Sequence, residues 1–304
     1  RRAPAFQVFI LGLGPIPAMG IAGSALATVI ANHVALAGLL FYIYWKDLPL
    51  RLRGAELRHL WPDPALIKAI VVKGLPMGLQ MIVISSSALA TIGLVNREGV
   101  HTTAAFGAAL QLWTYVQMPA MALGAAASAM AAQNIGAGKW ERVSAITRSG
   151  IVYNLLITGA LVALLAVTDR AAIALFLGGD SPALPIAKHI LLLATWPFLM
   201  FGVTMIIFGT VRANGAVIGP LVILIIALYP VRLGFALGAY PWLGADALWL
   251  SFPAASFANM ALAIGFYLHG GWRKARMMPP PPPEELAEEA EGLAEPGGRI
   301  NPAG

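Results

Sequence analysis

Polar side chains recur at helical spacing inside apolar stretches of the sequence, and they are the residues best suited to bind a solute. Two stripes each share one helix face: Gln80, Ser87 and Thr91 in one stretch, and Gln111, Thr114, Tyr115 and Met118 in the next. Amide, hydroxyl and thioether groups can line a polar cavity and hold a compound without covalent chemistry. The same groups can also hydrogen-bond one helix to another inside a membrane. The spacing leaves both interpretations open, since each requires that the stripe face inward.

Three further residues join the candidates for the lining of such a cavity. Met200 lies one helical turn before Thr204, and Asn154 shares a helix face with a threonine of its own stretch. Methionine offers adaptable apolar contact to ligands of varied shape, although packing is its commoner role. His33, in another apolar stretch, is a weaker candidate for a proton relay. Hydrogen bonding across a small-residue interface is the alternative for this histidine.

Covalent chemistry finds no support in the sequence. Cysteine is absent, and the acidic residues lie between the apolar stretches, at their ends or in the C-terminal tail. No acid and base pair is therefore expected at membrane depth. Gly136-Ala137-Gly138-Lys139 invites comparison with a phosphate-binding loop, but Gln133 stands where the first glycine is needed and Trp140 follows the lysine. We predict no enzyme activity, no catalytic residue, no metal site and no bound cofactor.

The elements that position these residues are long apolar runs. Of 304 residues, 59% are hydrophobic and 11% are charged, against about 25% charged residues in soluble domains. Seven runs are long enough to cross ~30 Å of hydrocarbon as helices. They are residues 21–45, 69–96, 103–133, 149–168, 187–211, 216–238 and 245–268. The sequence thus predicts an all-α polytopic membrane protein.

Lysine and arginine are distributed unevenly over the predicted loops. One set of alternate loops holds thirteen: Lys46, Arg51, Arg53, Arg58, Lys68, Lys73, Lys139, Arg142, Arg148, Arg212, Arg273, Lys274 and Arg276. The opposite loops are assigned four: Arg97, Arg170, Lys188 and Arg232. Because cytoplasmic loops carry the excess of these residues, the first set and the C-terminus are predicted to be cytoplasmic, with the protein in the plasma membrane, or the inner membrane of a Gram-negative cell. We expect membrane lipids and a small-molecule substrate as partners, and no nucleic acid, since no clustered soluble basic face is present.

A Gly/Pro motif occurs twice at an offset of 224 residues. Gly14-x-x-Pro17-x-x-Gly20 precedes the first full run, and Gly238-x-x-Pro241-x-x-Gly244 precedes the last. Six runs lie between residues 69 and 268, an even number, so the two halves would run parallel, as in one class of transporter repeats. Chance similarity between small-residue-rich segments is the alternative. On the repeat interpretation we expect the chain to be truncated at its N-terminus, with about four helices absent before Arg1.

This reasoning divides the chain into four parts. Residues 1–45 are expected to be the end of a first lobe (part of helix 5, and helix 6), and residues 46–65 a cytoplasmic linker between lobes. Residues 66–276 are expected to form a second lobe of six helices, helices 7–12. Residues 277–304 are rich in proline and glutamate and have too few apolar residues to pack. They are predicted to be a disordered tail.

Four segments resemble the multidrug and toxic compound extrusion (MATE) family of cation-coupled antiporters. They are Gly12 to Gly23 with Ala25-Leu26-Ala27-Thr28, Gly74-Leu75-Pro76 with Leu79-Gln80, Gln133-Asn134-Ile135-Gly136-Ala137-Gly138, and Val211-Arg212-Ala213-Asn214-Gly215-Ala216-Val217. The third is the most specific. The resemblance implies a MATE-like six-helix second lobe preceded by the last one or two helices of the first. It also implies secondary-active efflux of amphipathic, often cationic, compounds in exchange for H+ or Na+, as two lobes rock about a central cavity.

The sequence departs from the family pattern at the coupling residue. Some members carry Asp or Glu inside the first or fourth helix of the second lobe, and another branch carries it in the first helix of the protein. The apolar runs of this chain contain neither acid, so no coupling residue is carried over. A lipid-linked saccharide flippase of similar build is the nearest alternative, and several intramembrane Arg or Lys residues would favour it. A fragment without transport activity is another alternative, since one lobe cannot enclose a cavity that two lobes form.

Overall fold

The computed structural model describes residues 19–48, 51, 52, 54 and 63–275. The chain divides into two compact units, residues 1–64 and residues 65–304, and each is described by itself. The predicted part of helix 5 and the predicted tail 277–304 lie outside the described residues. The fourfold division of the chain into lobes, linker and tail stays a prediction.

The described part of the first unit is dominated by one helix, α1 (Gly20–Trp45). This helix matches the predicted run 21–45. Gly20 has a φ of +53°, and Gly244, its counterpart in the repeated motif, has a φ of +56°. Only glycine adopts this conformation without strain, which explains why both copies of the motif end on it. His33 Nδ1 lies 2.8 Å from the carbonyl oxygen of Val29, so the imidazole is bonded within its own helix.

The second unit is a bundle of helices joined by short turns. Its helices are α2 (Pro64–Val95), α3 (Val100–Gly136), α4 (Trp140–Val167), α5 (Asp169–Leu177), α6 (Leu184–Ala194), α7 (Phe198–Ala213), α8 (Ile218–Ile226), α9 (Gly234–Gly238), α10 (Tyr240–Leu243) and α11 (Asp246–His269). A π-helical turn, Ala227–Leu233, joins α8 to α9, and 3-10 turns lie at Asn96–Glu98 and Gly271–Lys274. We call the end of this unit that holds the turns 137–139 and 214–217 the basic end.

Within the described residues, five helical segments are long and apolar enough to cross a membrane. They are Gly20–Trp45, Leu66–Glu98, Trp140–Val167, Ile218–Gly238 and Asp246–His269. A sixth is added if α6 and α7 together form one span. These segments correspond to the predicted runs other than 103–133, and they make the chain a multi-pass membrane protein.

The predicted run 187–211 is not one straight helix. Helix α6 ends at Ala194, α7 begins at Phe198, and the two are bent by 48°. Pro197 lies in the break, where its ring and its missing N–H interrupt the helical ladder. The hydroxyl of Thr195, also in the break, accepts a hydrogen bond of 2.9 Å from the indole of Trp113 in α3. The predicted run 187–211 is thus bent at these residues, and the two helices together are apolar enough to form one broken span.

Helix α3 differs from the other spans in composition. It covers the predicted run 103–133 and is 37 residues long, yet it is not among the segments apolar enough to pass as a span on its own. Its buried face is largely alanine and glycine, including Ala109, Ala120 and Gly124. Small residues allow close helix packing in membranes, where dispersion contacts take over from hydrophobic burial. The helix accordingly packs most extensively against α7 and α4.

Glycines set the spacing between α3, α4 and α7. A Cβ on Gly209 of α7 would overlap the carbonyl oxygen of Gly124 in α3. A Cβ on Gly202 would overlap the side-chain amide of Asn154 in α4. Neither position has room for a methyl group, so these three helices are packed through backbone and small atoms.

Candidate functional site

The structure separates the predicted cavity residues into two sets. Buried polar side chains within the helix bundle form the first set: Gln80, Ser87, Thr91, Asn154 and Thr204. Exposed side chains on one face of α3 form the second set: Gln111, Thr114, Tyr115 and Met118. Met200 is half-buried. The assignment of all ten to a substrate cavity stays a prediction.

The polar residues of α2 hydrogen-bond to main-chain carbonyls. Gln80 Nε2 donates to the carbonyl of Val217 at 3.1 Å, and Ser87 Oγ donates to the carbonyl of Leu228 at 3.5 Å. Thr91 Oγ1 donates within its own helix to Ser87 at 2.9 Å. The first two bonds tie α2 to the segment that begins at α8. This arrangement corresponds to the interhelical alternative that the sequence left open.

Asn154 serves a similar role between α4 and α7. Its Nδ2 donates to the carbonyl of Leu199 at 3.3 Å, and its Oδ1 accepts a bond of 3.0 Å from Thr158 Oγ1. Thr204 Oγ1 donates to the carbonyl of Met200 one turn earlier in α7, at 3.1 Å. Each of these buried polar groups therefore has a partner inside the unit, as buried polar groups require.

The exposed set forms what we call the α3 stripe: Gln111, Thr114, Tyr115 and Met118. The side chains of Tyr115 and Met118 are 53% and 55% exposed. Gln111 Nε2 lies 3.4 Å from Tyr115 OH, within the stripe itself. The helix buries Leu112 on another face. The stripe is thus a continuous surface of amide, hydroxyl, aromatic and thioether groups.

A polar clasp at the basic end was missed by the sequence analysis. Lys73 Nζ donates to the carbonyl of Gly215 at 3.0 Å. Asn214 Nδ2 donates to the carbonyls of Trp272 at 3.0 Å and Arg273 at 3.1 Å. Together with the Gln80 bond, these contacts join α2, the turn 214–217 and the 3-10 turn near the C-terminus. Two of the segments that resemble the MATE family, 74–80 and 211–217, meet here. The sequence showed each motif separately, but it gave no sign that the two are in contact.

Charged groups pair at the opposite end of the unit. Lys188 Nζ lies 3.0 Å from Asp169, and His189 Nε2 lies 2.7 Å from Asp246. Tyr240 donates a hydrogen bond to Glu98, and this bond, together with the negative charge of the carboxylate, raises the pKa of Tyr240. Among the residues that the structure describes, no three His, Asp or Glu side chains are grouped to hold a metal ion.

Arg232 is not in a loop, where the charge count placed it. It lies in the π-helical turn Ala227–Leu233, inside the candidate span Ile218–Gly238. Its guanidinium carbon is 3.9 Å from the centroid of the Phe252 ring in α11. The chain stays helical at Arg232, because the π-helical turn keeps the main-chain groups hydrogen-bonded.

Comparison with known proteins identifies relatives of the chain. The MatE family model matches residues 76–237. "Probable multidrug resistance protein YoeA" of Bacillus subtilis (strain 168) is 37% identical over 272 residues, which cover 89% of this chain and 58% of the relative. "Probable multidrug resistance protein YpnP" of the same organism is 31% identical over 260 residues, which cover 85% of this chain and 57% of the relative. The chain spans slightly under three fifths of the length of these relatives.

Solved structures share the fold. The structure described as "Crystal structure of MATE in complex with MaL6" has a TM-score of 0.74 at 21% identity, and the match covers 88% of this chain and 58% of the chain in that structure. The "Outward-facing conformation of a multidrug resistance MATE family transporter of the MOP superfamily" also has a TM-score of 0.74, at 20% identity and the same coverage. This likeness confirms the all-α membrane fold. Since the family model matches more than half of the 304 residues, the chain belongs to the MATE family.

Proposed function

We propose that this chain acts in secondary-active multidrug efflux, moving amphipathic compounds outward by alternating access in exchange for H+ or Na+. Membership of the MATE family and the names of its multidrug resistance relatives support this proposal. The observation that carries it is the α3 stripe, because it is the predicted cavity surface whose side chains are free to contact a solute. We propose no catalytic step and no bound cofactor.

The α3 stripe is unsuited to contact with lipid. Exposure of amide and hydroxyl groups to hydrocarbon costs free energy. Many other exposed side chains of the bundle are aliphatic, such as Leu156 of α4, which is 64% exposed. Aliphatic side chains are suited to contact with acyl chains. A stripe that combines Gln111 and Tyr115 suits a water-accessible cavity that binds varied compounds through aromatic and polar contacts.

The orientation and the coupling belong to the same proposal. The basic end, with Lys139 and Arg142 beside its turn, faces the cytoplasm by the distribution of positive charge. We therefore propose that the C-terminal segment after α11 lies on the cytoplasmic side of the plasma membrane. No acidic residue lies in the interior of a span within the described residues, so the coupling ion is assigned to no residue of this chain, and His33 stays a weak candidate.

Substitution of Tyr115 tests the cavity assignment. In cells that express the protein, we expect Tyr115→Ala to raise the half-saturating concentration for ethidium efflux about tenfold, since loss of one aromatic contact removes about 1.5 kcal/mol of binding. Leu156→Ala, at an exposed aliphatic position of α4, is the matched control and should leave efflux unchanged at equal expression. Efflux that is unaffected by Tyr115→Ala, or equally impaired by both substitutions, contradicts the assignment. Gln80→Ala is less informative, because Gln80 also holds Val217.

A further inference from the structure

Arg232 is a charged residue inside a candidate membrane span. It lies six residues before Gly238, where the span ends, which is about 9 Å of helix at about 1.5 Å per residue. A charged side chain at this depth costs free energy unless water or an acceptor compensates it, and such residues are functional in most membrane proteins.

An aromatic ring holds the guanidinium group in place. Phe252 stacks against it at 3.9 Å, which is a close cation–π contact. The Phe252 ring lies 5.2 Å from the ring of Trp113, which is buried on the packed face of α3. One face of the guanidinium plane is therefore covered, and the N–H groups at its edge are left for an acceptor.

No acceptor for these N–H groups occurs among the described residues. Arg232 Nε is buried and has no hydrogen-bond partner. Three carboxylates at this end of the unit have partners of their own: Glu98 with Tyr240, Asp169 with Lys188, and Asp246 with His189. Arg232 as a whole is only partly buried.

We propose that Arg232 binds an anionic group, a carboxylate or phosphate, on the compound that the protein carries. The fork of N–H donors in arginine matches either group with two parallel hydrogen bonds. The inference rests on the proposed function and deepens it. It adds amphipathic compounds with a carboxylate or phosphate to the cationic ones that the family resemblance implies. A lipid headgroup could supply the same phosphate, so the test must separate the two sources.

The test compares two dyes that differ in one group. Rhodamine B has a free carboxylate, and its ethyl ester lacks one. Binding of each to the purified protein in a neutral detergent is measured by fluorescence anisotropy. We expect the wild-type protein to prefer rhodamine B, and Arg232→Gln to weaken its binding about tenfold while ester binding changes less than about twofold. Arg232→Lys keeps the charge without the fork and should weaken rhodamine B binding to a smaller extent.

Arg170→Gln, an exposed arginine of α5, is the matched control and should bind both dyes as the wild type does. Equal affinity of the wild-type protein for the two dyes overturns the inference even if no Arg232 variant folds, and leaves efflux intact as a function. The other outcome is that phosphatidylglycerol raises the melting temperature of the wild-type protein but not of Arg232→Gln, while the wild-type protein binds both dyes equally. That result assigns the anion at Arg232 to a lipid and also overturns the inference. Failure to bind either dye overturns the proposed function and this inference with it.

Discussion

Gly209→Ala is expected to lower the free energy of unfolding by about 3 kcal/mol, at the upper end of the usual cost of overpacking. The added methyl group would overlap the carbonyl oxygen of Gly124 in the facing helix α3. That oxygen belongs to the backbone and cannot rotate away, so α3 and α7 must separate. Separation would loosen the most extensive helix contact of the unit.

The measurement is thermal unfolding of the detergent-solubilised protein. After heating to each temperature, the folded protein is quantified as the fraction that elutes as a monodisperse peak in size-exclusion chromatography. Gly107→Ala is the matched control, because Gly107 also lies within a helix, here α3, and a Cβ added there would have no atom within 4 Å. It should be neutral or slightly stabilising, since alanine favours the helix over glycine. Equal melting temperatures for the two variants would show that α3 and α7 do not pack through Gly124 and Gly209.

The spans were predictable because the membrane leaves the backbone few options. Hydrocarbon forces a lipid-exposed chain to satisfy its own hydrogen bonds, so a long apolar run becomes a helix. The break at Pro197 was signalled by proline but required the neighbouring Thr195 and Trp113 to define it. The π-helical turn at Ala227–Leu233 was not predictable, since its extra residue per turn is set by tertiary contacts.

Only part of the candidate site could be predicted, because tertiary contacts decide which helix faces are buried. Helical spacing shows which residues share a face, but the stripe of Gln80, Ser87 and Thr91 and the stripe of Gln111 and Tyr115 have equivalent spacing. The structure buries the first and exposes the second. The two stripes differ in burial because only the first faces a neighbouring helix, and the local sequence pattern does not specify which helix a face will contact. Arg232 was misplaced similarly, because its charge suggested a loop while the aromatic ring that shelters it lies twenty residues further along the chain.

Asn214→Ala is expected to open the clasp at the basic end. Asn214 is 6% exposed and donates to the carbonyls of Trp272 and Arg273. Alanine removes the amide donor from both oxygens, of which only that of Trp272 keeps another donor among the described residues, the Ala275 N–H at 3.2 Å, and we expect a cost of about 2 kcal/mol. The ring of Trp272 keeps its stacking on Tyr267 and its edge contact with Trp140. We therefore expect local opening of the Gly271–Lys274 turn rather than unfolding of the bundle.

Limited trypsin digestion measures this opening. A cost of about 2 kcal/mol raises the open population about thirtyfold, so cleavage after Arg273 and Lys274, followed by mass spectrometry, should accelerate to a similar extent. Asn134→Ala is the control, because the side-chain amide of this partly buried residue bonds only to Met130 in its own helix. Lys73→Met, which removes one contact to Gly215, should give an intermediate rate. If Asn214→Ala and Asn134→Ala are cut equally fast, the clasp does not restrain the C-terminal turn. If the graded order holds, the two family-like segments together fasten the end of the last helix, α11, to α2, the first helix of the second unit.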